Sequence, residues 1–292
     1  MNTARATVAA PVRVEGVGLF TSEASAITIE PAIPERPDAP AGIAFAIGDA
    51  IIPATIAYLS ATPAHAAFAE LPGRNSAIEA HGLVVHTVEH LLAALVGLGI
   101  TDALVRIEGG EIPIGDGSAD LFVRPILDAG LRPLTEAEPA TPIRVRTPIR
   151  AERDGASVTV EPSDHPEFVY RLDYGAASPI PSGEASWNGD PDEFARTIAP
   201  ARTFCLESEA QAMHAMGLFA HLTPRDMLVF GHGGPIDNEM RFADEPARHK
   251  LLDLIGDLSL AGRPICARVV ADRSGHALNH EAARRLVALV EA

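Results

Sequence analysis

The chain has 292 residues, of which 47% are hydrophobic and 21% charged, the composition of an ordinary globular protein with enough apolar material for a sizeable core. Its 23 basic and 39 acidic side chains leave a net charge of -16, which excludes the basic surface that nucleic-acid binding requires. The two cysteines, Cys205 and Cys266, form no C-x-x-C pair, which argues against a disulfide framework and a thiolate zinc site.

In chain order, Val12 to Phe20 and Ser25 to Ala32 alternate as strands do. Ala103 to Glu108 reads as another strand, and "ADLFVRPILDAGL" as a helix ending near Gly130. The proline-rich stretch 132–142 is the expected linker between a domain at 1–131 and another at 143–292. The second half restarts with strands in "IRVRTPIRAER", "ASVTVEPS" and "EFVYRLDYG". Helices are expected at Asp192 to Ile198, Glu207 to Gly217, Glu245 to Ala261 and Glu281 to Glu291, with strand, turn, strand in "GLFAHLTPRDMLVF". Antiparallel-looking strands mixed with helices in both halves predict an α+β fold. No apolar run approaches the roughly 18 residues of a membrane span, and no signal-peptide pattern opens the chain. The expectation is a cytoplasmic monomer with at most peripheral membrane contact.

Two helices carry chemistry. In "HTVEHLLAALVGLG", Val88, Leu91, Leu92 and Leu95 form an apolar stripe, while His90 shares the opposite side with Ala93, Ala94 and Gly97. In "EPARHKLLDLIGDLSLAG", Leu251, Leu254, Ile255 and Leu258 make the stripe, and His249, Asp253 and Asp257 recur four apart on the other side, beside Gly256. Small residues beside polar ones predict that the two helices face each other, each stripe on its own sheet. His90, His249 and Asp253 then converge as two histidines and one carboxylate, a catalytic zinc shell with an open position, and Glu89 stands next to it as a base. Taken singly, such residues are more often structural. A second zinc reading also exists, since His86 to His90 satisfies H-x-x-E-H, the inverted signature of insulinase-like peptidases, with Glu167 as its third ligand.

The stretches "TVEHLLAALVGLGI", "EIPIGDGSADLFV", "ARTF", "RHKLLDLIGDL" and "SGHALNH", in this order, resemble the zinc-dependent UDP-3-O-acyl-N-acetylglucosamine deacetylases (LpxC) of lipid A biosynthesis. The resemblance implies a two-domain β-α-α-β sandwich and Zn2+ held by His90, His249 and Asp253. It further implies Glu89 as general base, Thr203 as an oxyanion donor and His276 as the acid for the departing amine, oriented by Asp257. Lys250 is expected to add positive charge near the oxyanion or the substrate phosphates. The substrate implied is a UDP-linked acylated amino sugar. The "GDGS" turn is read as structural.

Three stretches depart from the family pattern. Phe20-Thr21-Ser22-Glu23 follows "GVGL" where a histidine is usual, Tyr174 to Ala177 replaces F-x-H-P, and Phe219 to Thr223 replaces Gly-Gly-Ser. The last lies where the acyl chain is expected, beside Phe204, Leu206, Met213, Met216, Leu218 and Leu222. These residues are expected either to line an apolar passage or simply to pack the segment onto its domain. A relative that deacetylates another N-acetylated sugar is the alternative function.

Overall fold

Two five-stranded sheets carry the molecule, each drawn from one half of the chain. The structure, a computed structural model, describes residues 4–32, 41–68 and 73–291. In the first sheet the strands lie in the order Val12–Val17, Ala24–Pro31, Ala103–Glu108, Ile43–Ile47, Ala50–Pro53. In the second they lie in the order Ile149–Arg153, Ala156–Pro162, Ala267–Asp272, Glu167–Leu172, Gly183–Trp187. Alternation sets the faces. Val12 and Val14 point into the core, while Arg13 points out and pairs with Glu108 at 2.6 Å.

Both sheets are mainly antiparallel, as expected, with one parallel pairing in each. Ile43–Ile47 runs parallel to Ala103–Glu108, and Glu167–Leu172 runs parallel to Ala267–Asp272. Each parallel neighbour arrives through a long crossover that includes a helix, as parallel pairing requires. These crossover helices are Glu89–Gly97 and Glu245–Ser259, the first and second central helices. They pack against each other, and the second also lies on strands Glu167–Leu172 and Gly183–Trp187. Both are buried along most of their length, the state expected of helices covered on two sides. One continuous core runs from Ile27 and Phe45 through Leu91 and Leu95 to Leu254 and Val269. The fold is α+β, ordered sheet, helix, helix, sheet.

Several elements differ from expectation. The last helix is His276–Glu291, starting before Glu281. Asp192 to Ile198 is one helical turn, Pro191–Glu193, continued as a π-helix over Phe194–Ile198. The helix after "ARTF" is Glu207–Ala215, and the strand expected at its end is absent, the chain turning instead through Gly217 (φ 76°) and Phe219 (φ 57°). Of "IRVRTPIRAER" only Ile149–Arg153 is a regular strand, although Ile143 makes an isolated bridge to Ile265. Strand Leu131–Pro133 pairs with Ala6–Val8, so the start of the proline-rich stretch is tied to the first half.

Candidate metal centre

The first central helix begins at a bend. Strand Leu83–His86 ends, Thr87 takes a left-handed conformation (φ 61°), and the helix starts at Glu89. A β-branched residue there is strained and needs holding. The buried Glu111 carboxylate holds it, accepting from Thr87 Oγ1 at 2.8 Å as well as from the backbone N–H groups of Phe20 and Thr21. The bend aims Glu89 and His90 at the second central helix. The approach is close: a Cβ on Gly256 would lie 2.1 Å from the Glu89 carbonyl oxygen.

His90 and His249 stand edge to face with ring centroids 5.0 Å apart. Their Nε2 atoms lie 3.3 and 3.5 Å from Asp253 Oδ1, and one ligand atom from each of the three residues falls within 4.8 Å of the others. All three are buried. His249 Nδ1 donates to the Ala201 carbonyl at 3.1 Å, which leaves Nε2 as the free lone pair facing Asp253. Burial drives the His249 pKa down to about 3, so the ring is neutral and able to ligate. Burial works against an ionised Asp253, but Lys250, donating to Oδ2 at 2.7 Å, together with the surrounding histidines outweighs it and holds Asp253 well below the usual carboxylate range. Asp253 Oδ1 is buried without a hydrogen-bond partner. A buried ionised oxygen left unpaired between two imidazole nitrogens is costly unless a cation completes it, and this donor set fits zinc.

Around this trio sits a second polar layer. Glu89 is buried and accepts from Ser76 N–H at 3.0 Å, and burial raises its pKa against the pull of His276 and His90. His276 Nδ1 donates to Asp257 Oδ2 at 2.9 Å, and its Nε2 lies 4.0 Å from Asp253 Oδ2. Burial disfavours its charge, but the buried Asp257 outweighs that and lifts the His276 pKa to about 9. Asp257 also accepts from Asn279 Nδ2 at 2.8 Å and from the Ser76 hydroxyl, which in turn receives His280 Nε2 at 2.6 Å. Lys250 is partly buried. Desolvation lowers its pKa, but Asp253 more than compensates and the ammonium stays charged.

The "ARTF" segment is anchored from the second central helix. Glu245, fully buried in its first turn, accepts from the Arg202 backbone at 3.0 Å and from Arg202 Nε at 2.9 Å. That pins Ala201 under His249 and places Thr203 against the "GDGS" turn. Thr203 N–H donates to the Gly117 carbonyl at 2.9 Å, and a Cβ on Gly117 would meet Thr203 Cγ2 at 2.4 Å. The turn is therefore structural in a specific sense, because it seats Thr203. Phe204 meets the His249 ring edge-on at 6.1 Å.

This geometry coincides with a family. The LpxC profile, described as UDP-3-O-acyl N-acetylglycosamine deacetylase, matches residues 5–288. The chain belongs to the LpxC family. Among relatives carrying the name UDP-3-O-acyl-N-acetylglucosamine deacetylase, that of Chlamydia abortus is 34% identical over 295 residues, covering 100% of this chain and 99% of its own. That of Chlamydia trachomatis serovar L2 is 35% identical over 292 residues, covering 98% and 96%, and that of Chlamydia pneumoniae is 34% identical over 286 residues, covering 96% and 95%. Membership in LpxC displaces the inverted-signature peptidase reading. Its third ligand, Glu167, opens a strand and pairs with Arg268 at 3.2 Å, and His86 is not part of the His90, His249, Asp253 group.

Ser76, Glu111, Asn279, His280 and the Arg202–Glu245 pair escaped the reading of the sequence. Only Asn279 and His280 left a trace in it, as polar residues three and four positions after His276. The acyl-site residues divide. Met213 and Leu218 are buried in a small cluster with Phe20 and Phe68, against which Phe219 packs. Leu206 joins the main core instead, Leu222 is half-buried and Met216 is 48% exposed. No helix among the described residues is long and apolar enough to cross a membrane.

Proposed function

We propose that the protein is a zinc-dependent N-deacetylase that removes acetate from the N-acetyl group of UDP-3-O-acyl-N-acetylglucosamine in lipid A biosynthesis. Full-length similarity to the deacetylases supports the reaction. The unpaired Asp253 Oδ1 between His90 and His249 is the observation that carries the metal. Zinc in such a site supplies Lewis acidity, polarising a carbonyl and making water acidic near neutral pH.

The chain's own residues do the rest. Glu89, steadied by Ser76 N–H, takes the proton of the attacking water, and its burial-raised pKa brings it nearer the operating pH of a base. Thr203 and Lys250 are assigned to the developing oxyanion, where one well-aimed donor is worth about 10²–10³ in rate. As the C–N bond breaks, the amine must leave protonated. His276, held cationic by Asp257 up to about pH 9, supplies that proton. Ser76, Asn279 and His280 position Asp257. Acetate and a free amino sugar result, with one water consumed.

The acyl chain is assigned to the segment after "ARTF", beside Phe204, Leu218 and Leu222. The division into domains 1–131 and 143–292 is supported by sheets that do not share strands. A cytoplasmic monomer with at most peripheral membrane contact and no nucleic-acid partner suits the acidic chain. The test is acetate release from the acylated UDP-sugar beside its unacylated analogue. Strong preference for the acylated sugar is expected, whereas equal kcat/KM for both would replace this substrate with another N-acetylated sugar.

A further inference from the structure

A cavity of about 730 Å³ opens between the two halves, and neither the histidine–carboxylate trio nor Glu89, Asp257 or His276 contributes to its wall. Leu92 and Val96 of the first central helix, Ile255 of the second, and Ile43, Phe168 and Trp187 from the sheets form its apolar lining. It is a cleft open to solvent on one side, and its volume falls within the roughly 300–1,000 Å³ of small-molecule sites. Arg144 and Arg263 also line it. Arg263 Nε donates to the Thr141 carbonyl at 2.8 Å, and neither guanidinium has a carboxylate partner among the described residues. These two arginines leave the cavity with positive charge that no carboxylate of the described residues neutralises, although the chain as a whole carries -16. The single carboxylate of the lining, Asp164, is exposed.

We propose that this cavity binds a fatty acid, its aliphatic chain against the apolar wall and its carboxylate on Arg144 and Arg263. Guanidinium matches carboxylate as a planar fork, and here the fork is offered at the open side of the cavity by the exposed Arg144 and the half-buried Arg263. An alcohol of equal length satisfies the wall and leaves the arginines without an anion. A phosphate-bearing chain shares this chemistry, since guanidinium pairs with phosphate as well as with carboxylate, and decyl phosphate is the probe that separates the two.

Trp187, the one tryptophan of the chain, is buried in the wall and reports directly on occupancy. The metal-loaded enzyme is titrated with decanoate below its micellar concentration while Trp187 emission is followed. A saturable change is expected, about tenfold or more weaker with decanol and with octanoate, each methylene being worth roughly three- to fourfold. Arg144→Ala and Arg263→Ala should each weaken decanoate about tenfold. Arg144 is exposed, so its substitution leaves the core intact. Binding also raises the melting temperature by mass action. Silence of Trp187, including silence while calorimetry detects binding elsewhere, overturns the site. Equal affinity for decanol, arginine variants that bind as wild type, or a response to decyl phosphate but not decanoate overturns the assignment of a carboxylate.

Discussion

Gly256 is where the two central helices come closest, and Gly256→Ala probes the site through that contact. The added Cβ would sit 2.1 Å from the Glu89 carbonyl oxygen and 2.8 Å from its carbon, where ordinary contact begins at 3.4 Å. The obstacle is backbone, so no rotamer change relieves it, and the helices must part by a little over 1 Å. Alanine also favours the helix by up to about 1 kcal/mol relative to glycine. Overpacking a dense interior typically costs about 1–3 kcal/mol, and a backbone clash belongs at the upper end. The clash wins, leaving a net loss of about 1–2 kcal/mol and a melting temperature lower by a few degrees. Function should suffer more than stability. Catalytic groups tolerate about 0.5 Å of error, and a 1 Å misplacement costs about 10² in rate. Because Glu89 and His90 ride on the displaced helix, kcat should fall about a hundredfold and zinc affinity should drop as well. Calorimetry, metal analysis and acetate release measure the three effects, with Gly233→Ala as control, since nothing lies within 4 Å of a Cβ there. A Gly256→Ala enzyme with wild-type melting temperature and kcat would refute the close approach.

Three further outcomes follow from the site. His249→Ala should lose zinc by more than the roughly 10–100-fold that an outer hydrogen-bond partner is worth, while His86→Ala should keep full occupancy. Metal analysis of the purified variants decides it, and the reverse pattern would make His86 the ligand. Glu89→Gln should retain zinc and lose about 10²–10⁴ in kcat, because an amide cannot take the proton; near wild-type turnover would remove Glu89 as base. Activity that depends on protonated His276 should be present below about pH 9 and be lost as pH rises through it, and Asp257→Asn should move that limb to lower pH. The same raised pKa contributes folding stability that is full below the ordinary value of 6.5 and disappears as pH climbs through about 9. A pH–rate profile of kcat/KM on both proteins is the measurement, and an alkaline limb unmoved by Asp257→Asn would separate it from His276.

What was legible in the sequence has a physical pattern. Periodicity exposed both central helices because each carries an unbroken leucine stripe, and the spacing of His249, Asp253 and Asp257 fixed which residues share a face. The start of the last helix was hidden because its first turn is polar. His276, Asn279 and His280 point inward at Asp257 and Ser76, so no apolar stripe announces the helix there. Short strands such as Ile43–Ile47 and Ala50–Pro53 are too brief for alternation to rise above the turn at Gly48 that joins them. The Gly217–Thr223 turns read as strand by composition, because Phe219 favours extended backbone, yet in the fold it sits at positive φ. Ser76, Glu111 and the Arg202–Glu245 pair could not be read at all. Their significance is set by contacts many residues apart, and nothing local marks a serine or a glutamate as buried.

The two sheets share one plan. In each, two antiparallel pairings are followed by one parallel and one antiparallel, and in each a central helix leads into the middle strand. Between the fourth strand and that helix, each half carries a longer excursion, 54–88 in the first and 188–244 in the second. The first excursion supplies Ser76 and the Thr87 bend, and the second supplies Ala201, Arg202, Thr203 and the segment assigned to the acyl chain. The trio itself lies on the shared framework, with His90 on one central helix and His249 and Asp253 on the other. Rigid helices are the better place for groups that must hold sub-ångström geometry, and excursions are the better place for groups that meet a variable substrate. The departures at Tyr174 to Ala177 and Phe219 to Thr223 fall off the central helices, as does the Phe20 segment. A chain built this way can change what it binds while leaving the bond it breaks untouched.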